Sequence, residues 1–222
     1  MRIYNLIRHI AIILIFIITS FLNTPALSIQ KGSLEYDDNR VDYSVMDPEP
    51  IQTEADYYLD TALVTDDEQM RQGLLEVAAG KYFLLSKINP QAVTPYVQLA
   101  RIYDITKHDR YAKEYFYKAT NLENLSPFAN FYFGEYYFRR DDFRRALKYY
   151  QIAYQNGYDN IYELNLRLAV IYEKLGDLEN AKKFYTSASS IDATETNILN
   201  KIEQINQLNY DKSEYYHNFI RE

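Results

Sequence analysis

Apolar residues from position 54 onward recur at intervals of three and four residues, which is the spacing of amphipathic helices. The spacing predicts two antiparallel helices before Asn89-Pro90, the first with an apolar stripe from Ala55 to Leu63 and the second with a stripe from Leu74 to Ile88. A last apolar stripe, on an otherwise polar segment, predicts a C-terminal helix within residues 196–222. The pattern therefore predicts an all-α chain over these residues.

Polar residues mark where several of these helices begin. Thr94-Pro95 and Ser126-Pro127 each place a hydroxyl cap before a proline, which is tolerated at the first helical position because its missing N–H has no helical partner there. Asp141 or Asp142, and Asp177, are predicted to cap the helices that follow them. The segments between these caps are long enough for paired helices.

One pattern of small and aromatic residues occurs three times between residues 93 and 195. Its marker alanines, Ala112, Ala146 and Ala181, are 34 and 35 residues apart. Small residues leave room where two helices cross, and aromatic rings fill the space between them. The repeated positions are Ala100, Tyr103, Ala112 and Ala119, then Gly134, Tyr137, Ala146, Tyr150 and Ala153, then Ala169, Tyr172, Ala181, Tyr185 and Ala188. The chain therefore resembles a tetratricopeptide repeat (TPR) protein.

The resemblance implies an all-α, right-handed superhelical solenoid of antiparallel helix pairs, with repeats at 93–126, 127–161 and 162–195. Residues 54–92 fit a divergent first repeat, and residues 196–222 fit a capping helix with a tail, because terminal repeats are usually atypical. The resemblance also implies that the first helix of each repeat lines a concave groove. In the family that groove generally binds a peptide or a helix of another protein.

The predicted groove residues are Val97, Arg101, Phe128, Phe131, Glu135, Phe138, Arg139, Leu166, Val170 and Lys174. The three phenylalanines are expected to be exposed, and exposed rings beside charged residues are typical of binding hot spots. The alternative is that these rings pack beneath a neighbouring repeat, the linker or a second copy of the chain. TPR domains that clamp carboxylates have Lys and Asn where this chain has Val97 and Arg101, so that clamp is not predicted.

The N-terminal residues have the three parts of an export signal. Two arginines precede an apolar run over Ile10–Leu22, and Ala26-Leu27-Ser28 provides a small-residue cleavage motif. We expect cleavage after Ser28 and an extracytoplasmic location, periplasmic or secreted. The alternative is an uncleaved membrane tether through residues 4–22. Residues 29–53 are acidic and lack periodicity, so they predict a flexible linker.

Charge and composition exclude several classes of function. The formal net charge of −7 opposes nucleic-acid binding, which requires clustered Lys and Arg. There is no cysteine, and the three histidines are far apart, so neither a disulfide nor a metal site is predicted. No nucleophile motif or phosphate loop is present, and no cofactor or catalytic residue is expected.

The leading hypothesis is thus a non-enzymatic, exported TPR adaptor or scaffold that binds another protein through its groove. One alternative is an extracytoplasmic protein that binds a glycan or another ligand on the aromatic groove. Another is a membrane-tethered subunit of an envelope assembly. Self-association of the chain is a further expectation if the predicted groove rings pack against a second copy.

Overall fold

The computed structural model describes residues 41–194 and 196–219, and all regular structure in these ranges is helical. The predicted export signal, residues 1–28, and residues 29–40 of the predicted linker lie outside the described residues. A short 3-10 turn at Tyr43–Val45 precedes the first α-helix. The α-helices are α1 (Pro48–Val64), α2 (Glu68–Ile88), α3 (Val93–Ile105), α4 (Asp109–Leu122), α5 (Pro127–Phe138), α6 (Phe143–Ala153), α7 (Tyr162–Lys174), α8 (Leu178–Ile191) and α9 (Thr196–Phe219).

The helices pack as successive pairs. α1 packs on α2, α3 on α4, α5 on α6 and α7 on α8, and the closing helix α9 packs on α8. Neighbouring pairs join chiefly through contacts of α3 with α2 and with α5. We call α1, α3, α5 and α7 the inner helices and α2, α4, α6 and α8 the outer helices. The arrangement confirms the predicted all-α array of helix pairs.

Helix α1 begins earlier than the sequence pattern predicts. Pro48 is its first residue, and the carboxylate of Asp47 accepts a hydrogen bond from the backbone N–H of Glu49 at 3.1 Å. Proline suits the first turn of a helix, so Pro-Glu-Pro is a helix start here and not the end of a linker. The prediction that the linker extends to residue 53 is therefore wrong for residues 48–53.

Most of the predicted caps are present. Ser126 Oγ accepts from the N–H of Ala129 at 3.4 Å, Asp142 caps α6 and Asp177 caps α8. The cap predicted at Thr94 is wrong, because α3 begins at Val93 and no side chain caps it. The proline of Thr94-Pro95 therefore lies inside the first turn.

Three inner helices end in the same way. Lys107, Asp141 and Gly176 stand at equivalent repeat positions after α3, α5 and α7, and all three have left-handed backbone angles, with φ of 63°, 55° and 79°. After each, a backbone N–H closes the turn by bonding back to the carbonyl of Tyr103, Tyr137 or Tyr172, at 2.8–3.1 Å. This is the closing bond of a Schellman motif.

The 35-residue spacing has a local structural cause. The chain passes from α6 to α7 through a turn over Tyr154–Tyr158, in which Asn156 and Gly157 have non-helical backbone angles and Gly157 has a φ of 110°. The equivalent connection after Ala119 is one residue shorter. The extra residue is taken up in this turn between the helices, and α7 still packs on α8 as α5 packs on α6.

The core follows the alternation of small and aromatic residues. Ala112, Ala146 and Ala181 are fully buried, and a Cβ atom on Gly134 would collide with the ring of Tyr150. The other predicted packing positions are also buried, except Tyr172, which is half-buried and stacks on Phe184. Among the described residues, no helix is long and apolar enough to span a bilayer.

Candidate functional site

Side chains of the inner helices meet across repeats on one face, which we call the inner face. The Arg101 guanidinium of α3 lies over the Tyr132 ring of α5, 4.1 Å from its centroid. The Arg167 guanidinium of α7 lies 4.8 Å from the ring centroid of Phe138 on α5. The inner face is therefore continuous over three repeats.

The spacing of the inner helices changes along this face. The backbones of α3 and α5 pack closely, whereas those of α5 and α7 do not. Long side chains span the wider gap: Arg167 Nε donates to Glu135 at 2.8 Å, and the Tyr158 ring lies 6.0 Å from the ring of Phe131. Between α5 and α7, therefore, side chains rather than closely packed backbones form the inner face.

An aromatic cluster lines the inner face of α5. Phe128 and Phe131 each pack edge-to-face on Tyr132, with centroid distances of 5.0 and 5.1 Å. Phe138 packs on Phe143 at 5.8 Å. All three predicted groove phenylalanines are half-buried, so the expectation that they are exposed is wrong. Their neighbours hold the rings in place while part of each ring stays accessible.

Val97 does not belong to this surface, although the repeat pattern predicts it there. It is fully buried, because α3 is held between α2 and α5. Phe131 and Leu166 occupy the equivalent positions in the next two repeats and are half-buried. Val170, on α7, is also half-buried, and Lys174 at the end of that helix is exposed.

Glu135 is a structural anchor rather than a free contact residue. It is only 8% exposed and accepts hydrogen bonds from Tyr150 Oη and Arg167 Nε. Burial, together with the Glu135 charge, raises the pKa of Tyr150. Partial burial disfavours the charged guanidinium of Arg167, but the hydrogen bond and charge of Glu135 outweigh this and raise its pKa. The prediction that Glu135 is available to a partner is therefore wrong.

Arg139 is exposed, but its guanidinium forms an ion pair between two repeats. Its guanidinium pairs with the buried carboxylate of Asp104, which also accepts from Arg140 Nη2 at 2.7 Å. Tyr136 Oη donates to Asp109 at 2.8 Å, and this bond, with that from Arg140, lowers the pKa of Asp109. The cluster joins the third repeat to the second.

Arg101 differs from the other arginines of the inner face. Among the described residues no carboxylate lies within 4.0 Å of its guanidinium, whose partners are the Gln98 side-chain oxygen at 2.6 Å and the Tyr132 ring. It is therefore an inner-face cation that could pair with a carboxylate of a ligand.

The sequence pattern missed Tyr132 and Arg167. Both stand at the same position of their repeats, where the second repeat has Gln98. Each makes contacts with a neighbouring repeat, through the Arg101 guanidinium for Tyr132 and through Glu135 for Arg167. One feature of the sequence could have indicated them. The side chain at this position changes from an amide to a phenol to a guanidinium, whereas the packing positions stay small or aromatic in every repeat.

The far end of the inner face is closed by α9. Glu173 accepts from Tyr185 Oη at 2.6 Å and from Lys201 Nζ at 2.8 Å, which ties α7 to α8 and α9. Burial opposes the charged carboxylate, but the bonds from Lys201 and Tyr185 outweigh it and lower the pKa of Glu173. Within the described residues, no three His, Asp or Glu side chains gather as metal ligands.

The chain is similar to known proteins at two levels. A model of the tetratricopeptide repeat family matches residues 162–195. No curated protein matches the sequence of the whole chain. The structure is similar to that of MamA, with 19% identity and a TM-score of 0.54, covering 70% of this chain and 92% of MamA.

Two further solved structures share the fold. YrrB, described as a TPR protein with an unusual peptide-binding site, has 18% identity and a TM-score of 0.52, covering 73% of this chain and 81% of YrrB. PilF of Pseudomonas aeruginosa has 15% identity and a TM-score of 0.57, covering 75% of this chain and 72% of PilF. With the matched repeat and the stacked helix pairs, these likenesses show that the chain has the tetratricopeptide repeat fold and that residues 162–195 match one repeat of that family.

Proposed function

We propose that the chain is an exported adaptor that binds a segment of another protein along the inner face. The observation that carries the proposal is the half-buried aromatic cluster of Phe128, Phe131 and Tyr132, with Arg101 stacked beside it. The TPR fold supports a protein-interaction role, and YrrB is a protein of this fold with a described peptide-binding site.

The cluster suits binding because its rings are already ordered. Each ring packs on a neighbour, so a ligand would immobilise few additional side chains. The accessible remainder of each ring can still be covered, at about 25 cal/mol per Å² of apolar surface removed from water. Preordered aromatic groups of this kind are typical hot spots.

The charges around the cluster define the expected ligand. Arg139 and Arg167 are paired with Asp104 and Glu135, so neither is free for a new ion pair. Among the described residues, the partners of Arg101 are an amide and a ring. A segment that places an apolar side chain on the rings and a carboxylate near Arg101 would satisfy both features.

Export is the second part of the proposal, supported by the arginines, apolar run and cleavage motif of residues 1–28. The intact mass of the chain isolated from its native host tests it. Removal of the signal should leave a chain that begins at Ile29. A full-length chain that fractionates with membranes would instead favour the tethered subunit.

Site-specific photo-crosslinking tests the inner-face role directly. A photoreactive phenylalanine analogue would replace Phe128 or Leu166 on the inner face in the full chain, and cells would be irradiated in their native state. Both positions are half-buried and border accessible surface. We expect each to join covalently to the same protein, since both positions would lie along one bound segment.

Matched controls carry the analogue at Tyr117 and Leu199, which are 42% and 50% exposed and lie on other surfaces. A conjugate formed at these positions but not on the inner face would contradict the proposal. Loss of the conjugate on Arg101→Ala, with the circular dichroism spectrum unchanged, would support the carboxylate contact. Retention of the chain on purified cell-wall polymer free of protein, without any protein conjugate, would favour the glycan-binding alternative.

A further inference from the structure

The outer surface of α4 and α6 is basic, although the chain as a whole is acidic at −7. Its cations, which we call the basic outer patch, are Arg110, Lys113, Lys118, Arg144 and Lys148, and Glu114 is a carboxylate among those of α4. Among the described residues none of the five has a carboxylate within 4.0 Å. A concentration of unpaired positive charge on an acidic protein favours an acidic ligand at that place.

The patch is one surface rather than two separate helix faces. The rings of Tyr117 on α4 and Tyr149 on α6 both pack on Phe133, with centroid distances of 5.1 and 4.3 Å. Lys113 lies over the Tyr117 ring at 5.9 Å, and Lys148 lies over the Tyr149 ring at 5.6 Å. The lysines therefore flank a shared aromatic floor and keep their ammonium groups close to solvent.

The chain itself contains a complementary acidic segment. Residues 29–42 hold four carboxylates, against two cations in the same segment. The carboxylates are Glu35, Asp37, Asp38 and Asp42, and the cations are Lys31 and Arg40. The segment precedes the first repeat directly, so it is present at one equivalent per patch in every molecule.

The described structure fixes where this segment joins the array. The 3-10 turn Tyr43–Val45 contacts α2, the outer helix of the first repeat, so the preceding residues start on the outer side. Seven residues separate Glu35 from Asp42 and span up to about 25 Å when extended. Packed helices are about 10 Å apart, so an extended segment of this length can cross more than one helix of the array.

We propose that the acidic segment, residues 29–42, binds the basic outer patch of the same chain. Single exposed ion pairs are weak, but a tethered segment binds at an effective concentration in the millimolar range, and several pairs act together. An anionic membrane is a poorer occupant, because the adjoining carboxylates would be repelled by the same lipids. The inner face stays open to the partner proposed above.

Zero-length coupling with a carbodiimide tests the proposal, since it joins a carboxylate to an amine only where the two are in contact. The full chain would be coupled at low salt as an equal mixture of unlabelled and nitrogen-15-labelled protein, then digested for mass spectrometry. We expect Glu35, Asp37 or Asp38 to be joined to Lys113, Lys118 or Lys148. The labels should not mix, and 1 M salt should abolish the products.

A matched pair of variants sharpens the result. Lys113→Gln/Lys118→Gln/Lys148→Gln removes the patch amines, whereas Lys174→Gln/Lys182→Gln/Lys183→Gln removes as many amines elsewhere. With helicity unchanged in both, coupling of the acidic segment should fall at least tenfold in the first and persist in the second. Three other patterns would overturn the proposal. These are coupling to Lys174 or Lys201 on the inner side, coupling only to Lys81 or Lys87 of α2, and products that contain both isotopic labels.

Discussion

The second and fourth repeats use equivalent positions in different ways. Asp104 and Glu173 stand at the same place on their inner helices, and Phe116 and Tyr185 stand at the same place on the outer helices. Tyr185 Oη donates to Glu173 at 2.6 Å, so that carboxylate has one partner within its own repeat, besides Lys201 of the closing helix α9. Phe116 has no hydroxyl, and Asp104 instead accepts from two arginines of the third repeat. The Tyr185 hydroxyl thus gives Glu173 a partner inside its own repeat, whereas Asp104 joins the second repeat to the third.

The comparison predicts its largest effect at Asp104. This carboxylate is 5% exposed and binds both Arg139 and Arg140, so Asp104→Ala removes the buried partner that the two cations share at a junction, although Arg140 keeps its pair with Asp109. We expect a loss of about 2–3 kcal/mol in the free energy of unfolding, below the full cost of a buried pair because the arginines are partly solvated. Denaturant melts monitored by circular dichroism measure it.

The equivalent Glu173→Ala variant is the control for Asp104→Ala. Glu173 is more exposed, and its partners lie in its own repeat and in α9. Its cost should be smaller, and the slope of the denaturant transition should stay the same. For Asp104→Ala the slope should fall, because loosening the junction between repeats reduces the cooperativity of unfolding. Equal effects of the two substitutions would contradict the distinction drawn between them.

Packing positions should show no such difference between the two repeats. Ala112 and Ala181 are equivalent and both fully buried, so replacing either by Leu overpacks the same crossing of two helices. We expect each substitution to destabilise the protein by about 1–3 kcal/mol and by similar amounts. A large difference between the two melting midpoints would show that the repeats differ in packing as well as in their polar contacts.

The sequence predicts the helix pairs but not the contacts between neighbouring repeats. The period of the alanines and tyrosines predicts helix pairs because close crossings need small residues wherever they occur. Val97 and Phe131 show the limit, because they are equivalent in the repeat, yet Val97 is buried and Phe131 borders solvent. The difference depends on how far α3 lies from α5 and α5 from α7, which no pattern within one repeat encodes.

The polar groups of the inner face show the same limit of prediction from the pattern within one repeat. Arg139 and Glu135 were predicted as contact residues from their position in one helix, but both are engaged by residues about 30 positions away. Arg101 was predicted by the same rule and does lack an acidic partner among the described residues. Whether a groove charge is available depends on its neighbours in the next repeat.

The hydroxyl that distinguishes the two repeats can be removed. Tyr185→Phe takes one donor from Glu173, and we expect a loss of about 1 kcal/mol at neutral pH, typical of one hydrogen bond. The pKa of Glu173 is lowered from 4.5 in the folded protein, so its contribution to stability is present above that value and is lost as the pH falls through the folded pKa. In the variant this loss should be smaller between about pH 5 and 3.

Melting curves of Tyr185→Phe and of the parent, recorded from pH 7 to pH 3, measure that difference. Tyr82→Phe is a matched control, because its hydroxyl bonds to Asp56 in the first repeat and does not contact Glu173. An unchanged acid dependence in Tyr185→Phe would show that Lys201 alone holds Glu173, and the role assigned to the hydroxyl would be wrong.

The smallest predicted effect concerns the ends of the same inner helices. Lys107 closes α3 with a φ of 63°, and Gly176 closes α7 with a φ of 79°. A side chain costs about 1 kcal/mol in this left-handed region, and glycine avoids that cost. Lys107→Gly should therefore stabilise the protein by about 0.5–1 kcal/mol, and Gly176→Ala should destabilise it by a similar amount.

Because Lys107 is exposed, its side chain contributes little packing to offset the gain, and thermal melts of the two variants should move in opposite directions. A destabilised Lys107→Gly would mean that the lysine makes a compensating contact, and the second repeat would then differ from the fourth in its helix end as well.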